Sequence, residues 1–316
     1  LMNNNRISRQ LEDYLDYKHS LGFKLIHEAT VLQRFSDYTL TIEYDGPLTK
    51  NLVLDWAATG TCSDKTMGRR IEVIRPFSKY VHSFDPDAEI IQSLIYKNVH
   101  ERPTPYIYSE NEVLQLMNEC KTLYSPDGIR AYTVETVIGL LWSTGLRPAE
   151  PIKLTIADVN LEQQLLHIQK TKFSKERIIP IDDSVSAKLH SYKQWISNKL
   201  GYRMPCEAFF YTTGGTPLTE YALAYAFKLI RPCIKASPTG YRYVRLYDFR
   251  HTMACNTIRR WNEQGLDINA KLHVLSTYMG HVRPEDTFWY LSATPELLEL
   301  SCSKYEVRFG GDSGEI

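Results

Sequence analysis

Four stretches of the chain hold side chains that could act together on a phosphodiester. The first is a helical corner, where Gly145 predicts the end of one helix and Pro148 predicts the start of the next. Arg147 lies at this corner, from which a guanidinium can point into a cleft and bind phosphate oxygens. Taken alone, this stretch is better explained as a plain helical turn with an exposed arginine.

The second stretch is the tip of a predicted β-hairpin. Two runs rich in β-forming residues, 165–169 and 177–181, flank the polar turn 171–174, and Lys172 lies in this turn. A lysine on a turn is usually only solvated, so the value of Lys172 depends on what it can reach.

The third and fourth stretches combine basic and aromatic residues. Asp248 is predicted to cap a helix, which would place Arg250 and His251 in the first turn. The helix N-terminus and the guanidinium both favour an anion there. Further along, His281 is followed nine residues later by Tyr290 on a short predicted helix. The chain has 21 tyrosines, so this one gains meaning only from its spacing.

Together, these stretches resemble the tyrosine recombinase (phage integrase) family. The family pattern is an Arg after a T-G-L/M-R corner, a Lys on a β-hairpin, H-x-x-R-H at the start of a helix, G-H or G-W, and a nucleophilic Tyr about nine residues later. The resemblance covers nearly the whole chain, more weakly in the first third, and the stretch 275–298 is similar to recombinases of mobile elements. The matching residues, in chain order, are Arg147, Lys172, Arg250, His281 and Tyr290.

Further matches surround these five residues. Glu150 matches an acidic residue that supports the first arginine, and His251 completes the H-x-x-R-H motif as a supporting residue. The run 175–180 matches the strand that follows the lysine turn in the family. This match selects Lys172 rather than Lys175 as the active-site lysine.

The chain departs from the family pattern at Tyr247, where the family usually has a histidine three residues before the second arginine. A tyrosine there can still hydrogen-bond a phosphate oxygen, but it cannot act as an imidazole base near neutral pH. The departure leaves both arginines, the lysine and the nucleophile in place. Tyr247 therefore stays among the candidate catalytic residues.

The resemblance implies that DNA strands are cut and rejoined without a cofactor. Arg147 and Arg250 would neutralise the anionic transition state, and Tyr290 would attack phosphorus to leave a 3′-phosphotyrosyl link and a free 5′-hydroxyl. Lys172 would protonate the leaving oxygen, and His281 would orient the phosphate. The covalent link conserves the bond energy. In agreement, the sequence has no Walker-type phosphate-binding loop and no carboxylate cluster for Mg²⁺.

The cysteines and the N-terminal residues argue against other classes of protein. The six cysteines are scattered without a C-x-x-C pair, as is typical of reduced thiols in a cytoplasmic protein. His251 and Cys255 could share a metal, but no second pair has ligand spacing, so neither a metal nor a cofactor is predicted. Without an apolar signal core or an apolar run of about 18 residues, neither secretion nor a membrane span is expected.

The elements that must position these residues are mainly helices. Within residues 1–100, Ser8 is predicted to cap a helix that ends near Gly22. An apolar stripe at 31–38 predicts a second helix, and Ser63 is predicted to cap a third. The resemblance identifies this part as the family's helical core-binding domain.

A Pro-containing stretch at 101–108 is the predicted linker to a catalytic domain at 109–316. Ser109 and Glu112 form the capping box S-x-x-E at the start of that domain. We therefore expect a mainly α fold with a small antiparallel β-sheet, arranged as a two-domain clamp on DNA. Helices are predicted in the second domain at about 184–200, 219–230, 248–263, 269–279, 285–292 and 295–303.

The charge distribution supports a DNA partner, although the 37 basic and 37 acidic residues cancel. Residues 65–79 contain five basic side chains and one acidic side chain, and residues 228–260 contain eight basic side chains and one acidic side chain. One such cluster could be a solvated face, but two in separate domains favour a phosphate backbone between them. The residues predicted to contact DNA are Lys65, Arg69, Arg70, Arg75, Lys79, Arg242 and Arg245.

These features predict a site-specific recombinase or integrase of a mobile element, active in DNA integration or transposition. The resemblance further implies a homotetramer on two double-stranded DNA sites, a Holliday junction, and a C-terminal segment, 295–309, that is exchanged between protomers. Two alternatives stay open. One is a topoisomerase-like enzyme with the same cleavage chemistry and no partner duplex. The other is a DNA-binding regulator without catalysis, which Tyr247 alone supports.

Overall fold

In a computed structural model, the chain divides into two compact units, residues 1–102 and 103–316. The boundary between them falls inside the stretch 101–108, which the sequence predicts as a linker. Lys172 and the segment 295–309 lie outside the described residues. The structure describes residues 5–92, 96, 99–100, 104–169, 176–236, 238 and 241–292.

The described part of the first unit is helical, and polar side chains start three of its helices. Asn5, Thr49 and Ser63 each accept a hydrogen bond from a backbone N–H in the turn that follows. The predicted cap at Ser63 is confirmed. The prediction for Ser8 is wrong, because Asn5 is the cap and Ser8 lies inside the helix. The helices are α1 (Arg6–Ser20), α2 (Ile26–Thr41), α3 (Lys50–Ala57) and α4 (Asp64–His82).

The sequence patterns predict α1, α2 and α4 but miss α3, which has only eight residues. Its apolar residues Leu52, Val53 and Trp56 are buried. Trp56 packs edge-on against Phe35 of α2, with ring centroids 5.2 Å apart. Each large apolar side chain buried in this way contributes about 2 kcal/mol, so the contact joins α3 firmly to the core of the unit.

The second unit is also mainly helical. Its helices in the described residues are α5 (Glu110–Glu119), α6 (Ile129–Thr144), α7 (Ala149–Lys153), α8 (Asp183–Leu200), α9 (Glu220–Ile230), α10 (Asp248–Glu263), α11 (Ile268–Met279) and α12 (Glu285–Phe288). Most side chains of α6 are buried, because it packs against α5, α8 and α10 at the centre of the unit. The predicted capping box is confirmed: the Glu112 N–H donates to Ser109 Oγ, and the Glu112 carboxylate accepts from the Ser109 N–H.

Small antiparallel sheets complete the second unit. The predicted hairpin is confirmed, and Leu166 and Ile179 face each other across it with both side chains fully buried. Ile168 pairs with Arg177, which is the first residue of its strand. The strands are β1 (Val159–Asn160), β2 (Leu165–Ile168) and β3 (Arg177–Pro180) in one sheet, and β4 (Tyr211–Thr212) and β5 (Thr216–Pro217) in another.

A separate small core forms between α10 and α11. It contains Ile258 from α10, Leu272 and Met279 from α11, and Tyr290 from the 3₁₀ turn Trp289–Ser292. The candidate nucleophile is therefore held by the packing of two helices. The mainly α fold with a small antiparallel sheet is confirmed. None of the described helices combines the length and the apolar character needed to cross a bilayer.

Candidate active site

The corner that carries Arg147 forms as predicted. α6 ends at Gly145, whose φ of 62° lies in the left-handed region that favours glycine. From this corner the Arg147 side chain turns back toward the protein. Its Nη1 donates to Glu150 Oε1 at 2.9 Å, and its Nη2 donates to the Gly280 carbonyl at 3.0 Å.

Glu150 is a buried carboxylate that two arginines share. It accepts from the backbone and the side chain of Arg147, and it accepts from Arg177 at both oxygens, at 2.9 Å and 2.7 Å. Burial alone would raise its pKa. The hydrogen bond and charge of Arg177, with the smaller effects of Arg147, nevertheless hold the pKa of Glu150 below its ordinary value. The carboxylate is therefore ionised at neutral pH and fixes the orientation of Arg147.

Arg177 is a site residue that the sequence does not reveal, because there it is only a strand residue of the run 175–180. Its side chain is 10% exposed. Its Nε donates to the Tyr278 carbonyl at 3.0 Å, while its two terminal nitrogens bind Glu150. The run 175–180 predicts that Arg177 lies on a strand. It does not predict the partner of Arg177, because Glu150 lies 27 residues earlier in the chain. Arg177 thus connects β3, the Arg147 corner and the end of α11.

Arg250 is a buried cation, with 1% of the residue exposed. Its Nη1 donates to the Gly145 carbonyl at 2.9 Å, and its Nη2 donates to the Met279 carbonyl at 2.6 Å. Among the described residues its Nε has no hydrogen-bond partner. Burial lowers the pKa of Arg250, and the nearby charge of Arg147 lowers it further. Both of these acceptors are neutral carbonyl groups, so neither of them neutralises the charge of the guanidinium.

The start of α10 differs from the prediction in one detail. Asp248 is the first residue of the helix rather than its cap, and Tyr247 takes the cap position with helical backbone angles. The reason is that the Asp248 carboxylate binds Arg245, accepting from its N–H at 2.8 Å and from its Nη2 at 2.6 Å. The shift leaves Arg250 and His251 as the third and fourth residues of α10.

The turn after α11 positions His281. Gly280 ends that helix with a φ of 65°, and a Cβ at this residue would come within 3.1 Å of the Arg177 side chain. Glycine is therefore favoured both by conformation and by space. The next residue, His281, places its Nδ1 2.6 Å from Thr287 Oγ1 on α12. His281 therefore directly follows Gly280, whose carbonyl accepts a hydrogen bond from Arg147.

Tyr290 completes this arrangement, with 2% of the residue exposed. Its hydroxyl is 3.2 Å from Nδ1 of His251. Its ring is nearly parallel to that of His281, at 13° and with centroids 6.4 Å apart. The negative charge of a Tyr290 phenolate would raise the pKa of Arg250. The candidate nucleophile, two imidazoles and two arginines therefore belong to one site, an arrangement whose chemistry suits phosphoryl transfer.

Comparison with known proteins agrees with this geometry. The sequence model of the phage integrase family matches residues 107–296, which is more than half of the chain. The chain belongs to the phage integrase family. The chain is therefore a tyrosine recombinase, and its mainly helical fold with a small antiparallel sheet agrees with this family.

Relatives and solved structures are similar over most of this tyrosine recombinase. Two Sinorhizobium fredii proteins named as integrase/recombinase (y4rE and y4rB) are 29% and 30% identical, over 94% and 95% of this chain and 95% and 96% of their own. The tyrosine recombinase XerD of Staphylococcus saprophyticus is 30% identical over 67% of this chain and 68% of its own. The Tn1549 transposon integrase in complex with a circular intermediate DNA shares the fold with a TM-score of 0.67 at 15% identity, over 93% of this chain and 99% of that one. The XerH site-specific recombinase bound to its difH substrate has a TM-score of 0.62 at 16% identity, over 88% and 79%.

The tyrosine recombinase fold brings together most of the residues that the sequence predicts as catalytic or supporting. Tyr247 joins the group through its ring, whose centroid is 5.1 Å from that of His251. Lys172 lies outside the described residues, and β3, which follows it in the chain, reaches the site through Arg177. The predicted residues gathered in the described structure are Arg147, Glu150, Tyr247, Arg250, His251, His281 and Tyr290.

Some of the basic residues predicted to contact DNA also have structural partners. Arg70 Nη1 donates to the Ala57 and Thr59 carbonyls, both at 2.9 Å, and holds the end of α3. Arg245 binds Asp248, as described above. Contact of these residues with DNA stays a prediction. Of the other basic residues predicted to contact DNA, three are exposed (Arg69, Lys79 and Arg242) and two are half-buried (Lys65 and Arg75).

The cysteines of this recombinase that the structure describes are free thiols. Cys255 is buried in the core between α10 and α11. Within the described ranges, no group of three or more His, Cys, Asp or Glu side chains could hold a metal ion.

Proposed function

We propose that this recombinase cleaves and rejoins DNA strands at specific sites through a covalent 3′-phosphotyrosyl intermediate. The observation that carries the proposal is the Tyr290 hydroxyl beside His251, in the same site as the buried cation Arg250. A guanidinium binds phosphate oxygens through charge-assisted hydrogen bonds. A phenol oxygen is a nucleophile toward that phosphate once its proton is removed.

In the proposed reaction, the scissile phosphate lies against Arg147 and Arg250. Fixed guanidiniums stabilise the charge that grows on its non-bridging oxygens, at about 3 kcal/mol each. Glu150 acts indirectly by holding Arg147. The Tyr290 oxygen attacks phosphorus, the bond from phosphorus to the 5′ oxygen breaks, and Lys172 gives that oxygen its proton.

Tyr247 and His281 complete the proposed site. Tyr247 is 39% exposed and can donate its hydroxyl to a phosphate oxygen. His281 is fixed by Thr287 and can orient the phosphate through its other nitrogen. Because the phosphotyrosyl link keeps the energy of the phosphodiester, a 5′-hydroxyl can attack it and rejoin the strand without ATP or a metal.

We also propose that the partner is double-stranded DNA and that the active form is a tetramer on two sites. The Tn1549 integrase and XerH structures contain DNA, which supports a DNA partner here. Strands would pass through a Holliday junction, and the segment 295–309 would dock on a neighbouring protomer. The relatives named integrase/recombinase support integration or excision of a mobile element as the reaction.

A suicide DNA substrate tests this function. It carries a nick near the cleavage site, so that the short fragment with the freed 5′-hydroxyl diffuses away and the strand cannot be rejoined. The wild-type protein should accumulate a covalent protein–DNA adduct, and Tyr290→Phe should bind the same DNA and form none. Binding without an adduct by the wild type would favour the inactive regulator. Relaxation of supercoiled DNA without recombinant products would favour the topoisomerase-like enzyme.

A further inference from the structure

The Tyr290 hydroxyl lies 3.2 Å from Nδ1 of His251. This separation is at the long end of hydrogen bonds between such groups. Catalytic hydrogen bonds are often long before the substrate is bound, so the distance fits a base that acts when the phosphate arrives. His251 directly follows Arg250 on α10. The same turn of helix therefore holds the phosphate-binding cation and the group that touches the nucleophile.

Aromatic side chains fix the His251 imidazole. Its centroid is 5.1 Å from the Tyr247 ring and 5.3 Å from the Trp289 ring, with interplanar angles of 62° and 63°. Steeply tilted ring contacts of this kind are favourable and do not require a ring nitrogen. The imidazole can therefore be held in place while Nδ1 stays directed at Tyr290.

Two other side chains could in principle take the Tyr290 proton, and the geometry favours neither. Tyr247 stands where the family has an imidazole, but a phenol does not take a proton from another phenol near neutral pH. His281 has its Nδ1 at 2.6 Å from Thr287 Oγ1. Its ring centroid is 6.4 Å from that of Tyr290, compared with 5.6 Å for His251.

We propose that His251 is the general base that activates the nucleophile, a role that rests on the function proposed above. As the bond from the Tyr290 oxygen to phosphorus forms, the phenol proton moves to Nδ1 of His251. The bond from phosphorus to the 5′ oxygen breaks, and Lys172 supplies the proton for that oxygen. In rejoining, the 5′-hydroxyl returns its proton to Lys172, and His251 returns its own to Tyr290. Before cleavage, the neutral imidazole carries its hydrogen on Nε2.

The test measures adduct formation on suicide DNA by two variants, with and without free imidazole. His251→Ala should slow the reaction by about 10²-fold or more while the Kd for DNA changes little. Free imidazole can enter the space left by the ring and should restore part of the rate. His251→Gln fills that space without supplying a base, so it should be slow and should not respond. His190→Ala, at an exposed position of α8, is the control and should be neither slow nor responsive.

A substrate with sulfur at the 5′-bridging position separates the base from the acid. It provides a good leaving group, so it should restore Lys172→Ala and leave both His251 variants slow. Either His251 variant at the wild-type rate, or restored by sulfur, would overturn the inference, as would a slow His251→Ala that imidazole does not restore. If His251→Ala does not fold, the sulfur substrate with His251→Gln decides alone. Absence of any wild-type adduct would instead overturn the proposed function.

Discussion

Arg177 and Glu150 are joined by two hydrogen bonds, 2.9 and 2.7 Å long, and both side chains are nearly buried. The same carboxylate binds Arg147, so the guanidinium of β3 and the guanidinium of the corner share one counter-charge. Arg177 also donates to the Tyr278 carbonyl. The orientation of Arg147 therefore depends on β3, through the carboxylate that Arg147 shares with Arg177.

Replacement of Arg177 should destabilise the protein. Arg177→Ala leaves a buried carboxylate with one arginine instead of two, and breaking a buried pair costs about 3 kcal/mol. Urea unfolding measures the loss. Lys188→Ala is the matched control, because Lys188 pairs with Glu135 at 2.7 Å where the two side chains are 38% and 25% exposed, and an ion pair open to solvent contributes about 1 kcal/mol or less. Equal losses in the two variants would mean that burial of the Glu150 pair does not matter.

Glu150→Gln should change how stability depends on pH. The pKa of Glu150 is lowered from an ordinary value of 4.5, so its charge stabilises the folded state fully above that value. The contribution is lost as pH falls through the lowered pKa. The wild type should therefore be the more stable protein at pH 7, and the difference should shrink on acidification below about pH 4.5. Unfolding free energies at several pH values check this, and parallel curves would contradict it.

Arg147→Ala and Arg250→Ala should each slow cleavage far more than they weaken DNA binding. Each removes a charge aimed at the transition state, a loss on the order of 3 kcal/mol or roughly 10²-fold in rate. Arg250→Lys should not recover the rate, because a lysine cannot reproduce the planar guanidinium that binds the Gly145 and Met279 carbonyls. Single-turnover rates and Kd values on the same DNA decide the matter. Equal losses of binding and cleavage would indicate plain phosphate contacts.

Arg69 and Arg70 form a matched pair of neighbours with different expected roles. Arg69 is exposed, so Arg69→Ala should reduce the slope of log Kd against log salt by about one. Arg70 holds the carbonyls at the end of α3, so Arg70→Ala should lower the melting temperature and change the slope less. Binding titrations over a range of salt concentrations and thermal unfolding separate the two effects. An unchanged slope for Arg69→Ala would show that its charge is only solvated.

Local sequence signals predict the elements that carry the site. Gly145 and Pro148 mark the helical corner, and Ser109 and Glu112 form the predicted capping box. The two strands of the hairpin pair as their β-forming residues indicate. These features succeed because a cap or a turn is decided by residues within a few positions. Asp248 shows the limit, since Arg245 takes the carboxylate that would otherwise cap the helix.

These local signals do not predict contacts between residues that are far apart in the sequence. Glu150 and Arg177 are 27 residues apart, and His251 and Tyr290 are 39 apart. Each pair meets only because helices and strands pack in three dimensions. The sequence could therefore nominate His251 as a supporting residue from its motif, but it could not place Nδ1 beside the Tyr290 hydroxyl or give Arg177 a role.

The sequence predicts Lys172 on a turn, where a purely solvated side chain could be replaced by alanine with no effect on cleavage. As the proposed general acid, it removes the cost of releasing the 5′ oxygen without a proton. Lys172→Ala should therefore cleave ordinary DNA slower by roughly 10²-fold or more. It should cleave DNA with sulfur at the 5′-bridging position at nearly the wild-type rate. Lys175→Ala is the control and should show no such rescue. Equal defects of Lys172→Ala on both substrates would reject the assignment, and rescue of Lys175→Ala would move the acid three residues along the hairpin.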